Sequence, residues 1–189
     1  SASGILVQRQ ALLTLDQDRK QLGVLNVIAD TGPTPATILI GAHLDSVENG
    51  PGANDNASGV AVMLEVARII ATRGSPLGVR FVTFDAEEIG AFGSRAYVEV
   101  MPSSERSALR AMVNVDQIGA GGPLRITGDS DLAAFVGRLP GASGAQVTLD
   151  VDPRSDHYRF DRAGIPSIML GLVDRLHHTP SDVAERIVP

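Results

Sequence analysis

The sequence predicts an α/β fold in which helices cover both faces of a mostly parallel, mixed central sheet, giving three layers. Short, largely apolar runs that suit buried strands alternate along the chain with stretches of helical periodicity. This alternation is typical of parallel sheets with helices on both sides. Gly and Pro residues separate the runs, and we find no internal repeat or low-complexity tract.

Eight segments are predicted as strands, of which the runs TILIGA and VRFVTF are the clearest. The polar stretch DQDRK joins the first two and indicates a hairpin at one edge of the sheet. The eight segments are residues 5–15, 24–29, 37–42, 79–84, 112–115, 124–127, 146–149 and 167–170.

Four helices are predicted between the strands. The clearest covers residues 57–73, where Val60, Met63 and Ala67 are among the apolar residues at helical spacing. Its other faces are also mostly apolar, so we expect this helix to be well buried. The shorter helices are predicted at residues 94–101, 131–139 and 156–163.

The composition excludes several classes of protein. Among 189 residues, 43% are apolar and 20% are charged, which argues against disorder. No run approaches the roughly 20 apolar residues that a membrane helix needs. The net charge of −6 disfavours nucleic acid as the main partner. Because the chain has no cysteine, a metal ion could be held only by His, Asp and Glu side chains.

Histidine and carboxylate side chains follow the carboxyl ends of several predicted strands. Ligands bind at that edge of α/β sheets, and several acidic groups converging there would be costly without a compensating cation. Taken singly, each of these charges could be an ordinary loop residue, but together they predict a metal site. In chain order they are His43, Asp45, Glu87, Glu88, Asp116 and His178.

Spacing indicates how some of these residues divide their roles. His43 and Asp45 lie two residues apart, so both point the same way in an extended backbone. A carboxylate beside a metal-binding His commonly accepts its second N–H, so Asp45 is interpreted as a support for His43 and not as a ligand. Asp55, in the segment GPGANDNASG, directly precedes the first helix, and capping of that helix is the alternative role of Asp55 and Asn56.

Five ordered segments resemble the dinuclear zinc aminopeptidase family, which includes glutaminyl cyclases, glutamate carboxypeptidases and the transferrin-receptor ectodomain. The resemblance covers about residues 24–182 and implies a zinc-exopeptidase-like fold. It also implies hydrolysis of the N-terminal peptide bond of peptides with a free N-terminus. The segments are IGAHLDSVENGPGANDNASGVAVMLEVAR, VRFVTFDAEEIGAFGSRAYV, AMVNVDQIG, SDHYRFDRAGIPSIML and HHTPSD.

Matched residue by residue, the resemblance implies two Zn²⁺ ions per chain. His43 and Asp116 match the terminal ligands of one ion. Glu88 and His178 match those of the other ion, and the register leaves His177 as the alternative to His178. Asp55 matches the carboxylate that bridges both ions, and the resemblance implies a cis peptide between Asp55 and Asn56.

The resemblance also implies two residues that act on the substrate. Glu87 matches the general base, which takes a proton from the metal-bridging water or hydroxide and delivers it to the leaving amine. His177 stands where many family members carry a tyrosine that stabilises the tetrahedral intermediate, and its imidazole N–H is expected to take that role. Asp156 and His157 are expected either to support the pocket or to begin a helix. Ile89 and Phe92 are among the expected pocket walls.

Two relatives of different function are weighed against the aminopeptidase. A single-zinc glutaminyl cyclase is disfavoured because the ligand set for two metals is retained. A non-catalytic binding module of the same family is disfavoured because every expected ligand and Glu87 are present. A Ser-His-Asp hydrolase is disfavoured because no G-x-S-x-G pattern occurs.

Residues 1–189 are predicted to form a single metallopeptidase catalytic domain that is short or trimmed at both ends relative to the family. A sheet face left uncovered by missing helices would be a candidate surface for homo-oligomer formation. Neither a nucleic acid nor a membrane is expected as a partner. The resemblance alone suggests a secreted or periplasmic protein.

Overall fold

The computed structural model describes residues 5–148 and 155–188, in which eight strands form one mixed sheet. The strand order is β1-β2-β4-β3-β5-β8-β6-β7. The strands are β1 (Leu6–Leu15), β2 (Gln21–Thr31), β3 (Ile38–His43), β4 (Val79–Phe84), β5 (Ala111–Val115), β6 (Leu124–Gly128), β7 (Gln146–Thr148) and β8 (Ser167–Leu172). The α-helices are α1 (Gly59–Arg73), α2 (Phe92–Val100), α3 (Ser103–Ala108), α4 (Ser130–Gly137) and α5 (His157–Arg162).

Four strands at the centre of the sheet, β4, β3, β5 and β8, run parallel to one another. The β1–β2 hairpin pairs antiparallel with β4, and on the other side β6 pairs antiparallel with β8. The sheet is therefore mixed with a parallel centre, and the predicted α/β class and edge hairpin are confirmed.

Helices pack on both faces of the sheet because successive strand residues point to opposite sides. On one face, Leu39, Val82 and Phe84 join an apolar cluster with side chains of α2 and α5. On the other face, Phe81 and Ala42 pack against α1. The central strands are thus buried on both sides, which explains their largely apolar sequences.

Most predicted elements are confirmed with small shifts at their ends, since β2 and β8 extend beyond the predicted segments. Helix α3 was not predicted, because its sequence SSERSA has no apolar periodicity and none of its residues is buried. Residue 149, the last of the predicted seventh strand, lies outside the described residues.

The prediction that the first helix is well buried is wrong. In α1 only Gly59, Met63 and Ala67 are buried, whereas Leu64 is 59% exposed and Val62 is 40% exposed. The helix lies on the sheet through one stripe, and no described element packs on its outer side. An apolar groove of about 400 Å³ remains open between α1, β1 and β2, lined by side chains that include Val7.

No helix among the described residues has the length and apolar content needed to cross a membrane.

Parallel pairing brings the candidate site residues to one edge of the sheet. Strand β3 ends at His43, and its neighbour β4 ends at Phe84, just before Glu87 and Glu88. On the other side of β3, strand β5 ends directly before Asp116. Because parallel strands end at the same edge, these side chains come together although they lie far apart in sequence.

The start of α2 tolerates no side chain at Gly93. A Cβ there would clash with the carbonyl oxygen of Asp85 and would lie 2.7 Å from Asn26 Oδ1. We expect Gly93→Ala to lower the melting temperature by roughly 3–10 °C, because overpacking costs about 1–3 kcal/mol. Gly23→Ala is the matched control, since nothing lies within 4 Å of its Cβ position. Equal melting temperatures for the two variants would contradict this packing argument.

Candidate metal centre

Asp55 lies between two groups of possible metal ligands. Its Oδ1 is 3.0 Å from His43 Nε2, and its Oδ2 is 3.1 Å from His178 Nε2. His43 Nε2 is also 3.3 Å from Asp116 Oδ1, and His178 Nε2 is 2.8 Å from Glu88 Oε2. The structure therefore brings together two sets of three ligands that share one carboxylate.

The donor atoms fit divalent metal ions. Within each set the ligand atoms lie within 4.8 Å of one another. Imidazole nitrogen and carboxylate oxygen are ligands that Zn²⁺ commonly uses. Glu88 Oε1 is buried and accepts no hydrogen bond from the described residues, which is costly unless a cation compensates it. The structure brings His178, and not His177, to Asp55 and Glu88.

The backbone at Asp55 departs from helical geometry within the segment Ala53–Ser58. Asp55 has φ −111° and ψ 86°, and its peptide bond to Asn56 is cis, which confirms the expectation from the resemblance. The side-chain amide oxygen Oδ1 of Asn56 accepts a hydrogen bond from the backbone amide of Gly59 at the start of α1. Of the two residues considered for helix capping, Asn56 therefore accepts from the first amide of α1, whereas the Asp55 carboxylate faces the site.

Side chains on either side of Asp55 connect its segment to the loop after β5. Asn56 Oδ1 also accepts from the Gln117 amide at 3.2 Å. Asn54 Oδ1 accepts from the amides of Gly119 and Ala120 at 2.8 and 2.9 Å. Because Asp116 begins that loop, these bonds set the position of Asp55 relative to Asp116.

Asp182 supports the same segment from the other side, a role that the sequence analysis missed. Its two carboxylate oxygens accept hydrogen bonds from the backbone amides of Asn54 and Asp55 at 2.7 and 3.0 Å. Asp174 accepts from Asn54 Nδ2 and forms a two-bond ion pair with Arg186, which lowers the pKa of Asp174 to about 2. The signal for Asp182 was its place in the motif HHTPSD.

Asp45 connects His43 to the loop after β4. Its carboxylate accepts hydrogen bonds from the amides of Glu87 and Glu88 at 3.0 and 3.1 Å. His43 Nδ1–H donates to the Asp45 carbonyl oxygen at 3.0 Å, whereas the Asp45 carboxylate is 3.6 Å from that nitrogen. With its Nδ1 occupied by a proton, the neutral ring presents the lone pair of Nε2 to the centre.

Burial and neighbouring charges raise the pKa of some acidic side chains of the site and lower that of others. Burial and the neighbouring charge of Asp156 raise the pKa of Glu87 well above its usual range, and burial and Asp55 raise the pKa of Glu88 to about 7. Burial also opposes ionisation of Asp116, but hydrogen bonds from His43 and from Ser155 outweigh it and lower its pKa.

An open cavity of about 750 Å³ lies beside the centre, and Glu87, His177 and Gln117 line it. Gln117 was not singled out from the sequence, and its Nε2 donates to Asp55 Oδ2 at 3.1 Å. Among the expected walls, Ile89 lines the cavity, whereas Phe92 packs in a buried apolar cluster.

His177 is oriented by the backbone. Its Nδ1–H donates to the Asp174 carbonyl oxygen at 2.6 Å, so in the neutral ring Nε2 is an acceptor. Asp156 and His157 are fully buried at the start of α5.

The chain is similar in sequence and in structure to bacterial aminopeptidases. An aminopeptidase of Pseudomonas aeruginosa (strain UCBPP-PA14) is 35% identical over 173 residues, which are 82% of this chain and 32% of that protein. The structure of a zinc aminopeptidase from Bacillus subtilis is 31% identical with a TM-score of 0.78, covering 90% of this chain and 46% of that one. The chain therefore spans less than half the length of these relatives.

A glutaminyl cyclase from Bacteroides thetaiotaomicron superposes with a TM-score of 0.82 at 21% identity, covering 98% of this chain and 78% of that one. At this identity the likeness shows the fold alone. Peptidase family M28 matches residues 26–189, which is most of the chain and includes every candidate ligand. The zinc-exopeptidase fold, the aminopeptidase relatives and this match agree, and the chain belongs to peptidase family M28.

Proposed function

We propose that this chain is the catalytic part of a zinc-dependent aminopeptidase that hydrolyses the N-terminal peptide bond of peptides with a free N-terminus. The observation that carries the proposal is the sharing of Asp55 between two ligand sets, with the buried carboxyl of Glu87 beside them. Relatives named aminopeptidase and zinc aminopeptidase support it.

Two Zn²⁺ ions are proposed for the site. His43 and Asp116 would hold one ion, and Glu88 and His178 would hold the other. Asp55 would contribute to both sites. Bound zinc supplies a Lewis acid for the substrate carbonyl and lowers the pKa of a coordinated water to near 7.

Glu87 is proposed as the general base. Glu87 lines the cavity and belongs to neither ligand set, whereas its neighbour Glu88 points to His178. Burial raises the pKa of Glu87, and a more basic carboxylate is better suited to accept the proton of the attacking water and then donate it to the leaving amine. The hydrogen bonds that the backbone amides of Glu87 and Glu88 donate to the Asp45 carboxylate fix the backbone from which the two carboxyls point in different directions.

His177 is proposed to interact with the tetrahedral intermediate. Because the Asp174 carbonyl takes the Nδ1–H, only Nε2 is left for the substrate. The neutral ring can accept a hydrogen bond there, and the protonated ring can donate one to the developing oxyanion. This differs from a tyrosine hydroxyl, which donates without a change of charge.

The first prediction from this proposed function concerns the bound metal ions and the general base Glu87. The purified protein should hydrolyse aminoacyl p-nitroanilides, lose this activity with a chelator and recover it with Zn²⁺. Glu87→Gln should lower kcat by at least about 100-fold, because general acid–base catalysis is typically worth 10²–10⁴-fold. Metal analysis should still find two ions per chain in that variant.

Glu65→Gln is the control, since Glu65 is exposed on α1 and pairs only with Arg68 among the described residues. Near-full activity of Glu87→Gln would remove Glu87 from its proposed role. One zinc ion per chain, with cyclisation of peptides that begin with Gln, would replace the aminopeptidase by a glutaminyl cyclase.

The second prediction concerns the metal-free protein, whose stability should fall as the pH rises from about 5 to 8. Burial raises the pKa of Glu88, and carboxylates including Asp116 raise that of His43 against the opposing effect of burial. The folded state therefore binds more protons than the unfolded state in this interval, and stability decreases with pH.

By calorimetry, the melting temperature without metal should be roughly 5 °C lower at about pH 8 than at about pH 5.5. Zn²⁺ should raise it most at the higher pH, because metal ligands bind in their deprotonated forms. A metal-free protein that is more stable at the higher pH would contradict this account.

The third prediction concerns His177. His177→Phe removes the polar group and should lower kcat by about 10- to 100-fold with KM changed less than about threefold, since the contact forms in the transition state. His177→Tyr supplies a hydroxyl donor and should retain most of the activity. If the Phe variant keeps the kcat of the unmodified protein, His177 does not contact the intermediate.

A further inference from the structure

Two arginines, Arg125 and Arg159, supply positive charge to a cavity whose described lining is otherwise acidic or neutral apart from histidines. The carboxylates are those of the proposed metal centre and Asp174. Neither arginine forms an ion pair with a carboxylate among the residues that the structure describes. This differs from Arg80 and Arg186, which pair with carboxylates.

Arg159 lies on α5 and is half-buried. Its Nη2 donates to the Gly90 carbonyl oxygen at 2.7 Å. Its Nε is buried and has no hydrogen-bond partner among the described residues. A guanidinium has five N–H donors, and burying one of these donors without a hydrogen-bond partner costs free energy. Arg159 thus retains donor capacity next to the cavity.

The Gly90 carbonyl places this guanidinium near the proposed general base. Gly90 follows Glu87 by three residues, and the Gly90 amide donates to the Glu87 carbonyl oxygen at 2.8 Å, which closes a turn. Glu87, Gly90 and Arg159 all line the same cavity. Arg159 is therefore held by the loop that carries Glu87, on the wall of the cavity that Glu87 also lines.

The charge balance of the loaded site favours an anionic substrate group. Among the groups that line the cavity, two divalent ions, as proposed above, would be balanced by the four carboxylates Asp55, Glu87, Glu88 and Asp116 when all are ionised. The nearby carboxylate of Asp174 is already engaged by Arg186. The guanidinium of Arg159 pairs with no carboxylate of the described residues, and a partly buried cation is stabilised by a carboxylate.

Resting on the proposed function, we propose that Arg159 selects substrates that carry a carboxylate close to the scissile bond. Two kinds of substrate present that group. One is a peptide with Asp or Glu at its N-terminus, and the other is a dipeptide, whose C-terminal carboxylate lies one residue beyond the bond. In both, the planar guanidinium would hold the carboxylate through charge-assisted hydrogen bonds.

Paired substrates that differ only in this group test the proposal. Glutamyl and glutaminyl p-nitroanilide report on the N-terminal side chain, and Leu-Ala and Leu-Ala amide report on the C-terminal carboxylate. We expect kcat/KM to favour the carboxylate in at least one pair. Arg159→Met should lower kcat/KM for that substrate by about 10- to 100-fold and change its neutral counterpart less than about threefold.

Arg159→Lys keeps the charge but not the planar donor pair, so it should restore part of the preference. Arg162→Met is the matched control, because Arg162 lies on the same helix, is exposed and does not line the cavity. It should change neither substrate of a pair. Melting temperatures of all variants check that they fold.

Two results with an active enzyme would overturn the inference and leave the proposed function intact. One is chelator-sensitive hydrolysis of neutral substrates with no carboxylate preference in either pair. The other is an Arg159→Met variant whose kcat/KM falls equally for both members of a pair, as expected of a purely structural residue.

Binding decides the question if no substrate is hydrolysed, an outcome that would defeat the proposed function. Glutamate, glutamine, Leu-Ala and Leu-Ala amide would be titrated calorimetrically into the zinc-loaded protein and its Arg159→Met variant. In at least one pair the ligand with the added carboxylate should bind about tenfold or more tightly, and only when Arg159 is present. Equal binding within both pairs would overturn the inference.

Discussion

The shared carboxylate of Asp55 is the constraint on which the candidate site depends. Its two oxygens contact His43 and His178, which come from opposite ends of the chain. The surrounding polar groups are arranged to hold that one side chain in place. The Asp182 carboxylate accepts a hydrogen bond from the backbone amide of Asp55. The side-chain oxygens of Asn54 and Asn56 accept hydrogen bonds from backbone amides of the loop that carries Asp116. Backbone groups in an irregular segment need such partners, because no helix or sheet satisfies them.

A second constraint is the cost of concentrating carboxyl groups in a buried place. Burial raises the pKa of both Glu87 and Glu88, so without a cation the site favours their neutral, protonated forms over the carboxylates. The hydrogen bonds that Asp45 accepts from the amides of these two residues keep the pair in position despite their repulsion. The same arrangement explains why adjacent glutamates have different surroundings, with one facing His178 and the other facing the cavity.

The sequence predicted the sheet well because its central strands are buried on both faces and their apolar runs are local signals. It did not predict α3, whose polar residues lie on the surface. It overestimated the burial of α1, since an apolar helix sequence does not say which of its faces another element covers. Among the site residues, the roles of Asp182 and Gln117 were not predicted. Asp182 accepts from the Asp55 backbone amide and Gln117 donates to the Asp55 carboxylate, and both contacts join residues at least 62 positions apart in sequence.

By itself the sequence determined the α/β class and the order of the eight strands and of four of the five described α-helices, because these follow from local pattern. It also carried the motifs from which the resemblance implied a set of metal ligands. Only the tertiary structure decided that β3 lies between β4 and β5, and therefore that the ligands meet at one edge. It also shows which of the two adjacent histidines lies near the other candidate ligands, since His178 and not His177 reaches Asp55 and Glu88. The physical reason is that strand pairing and side-chain direction depend on contacts between residues distant in sequence, which no local pattern records.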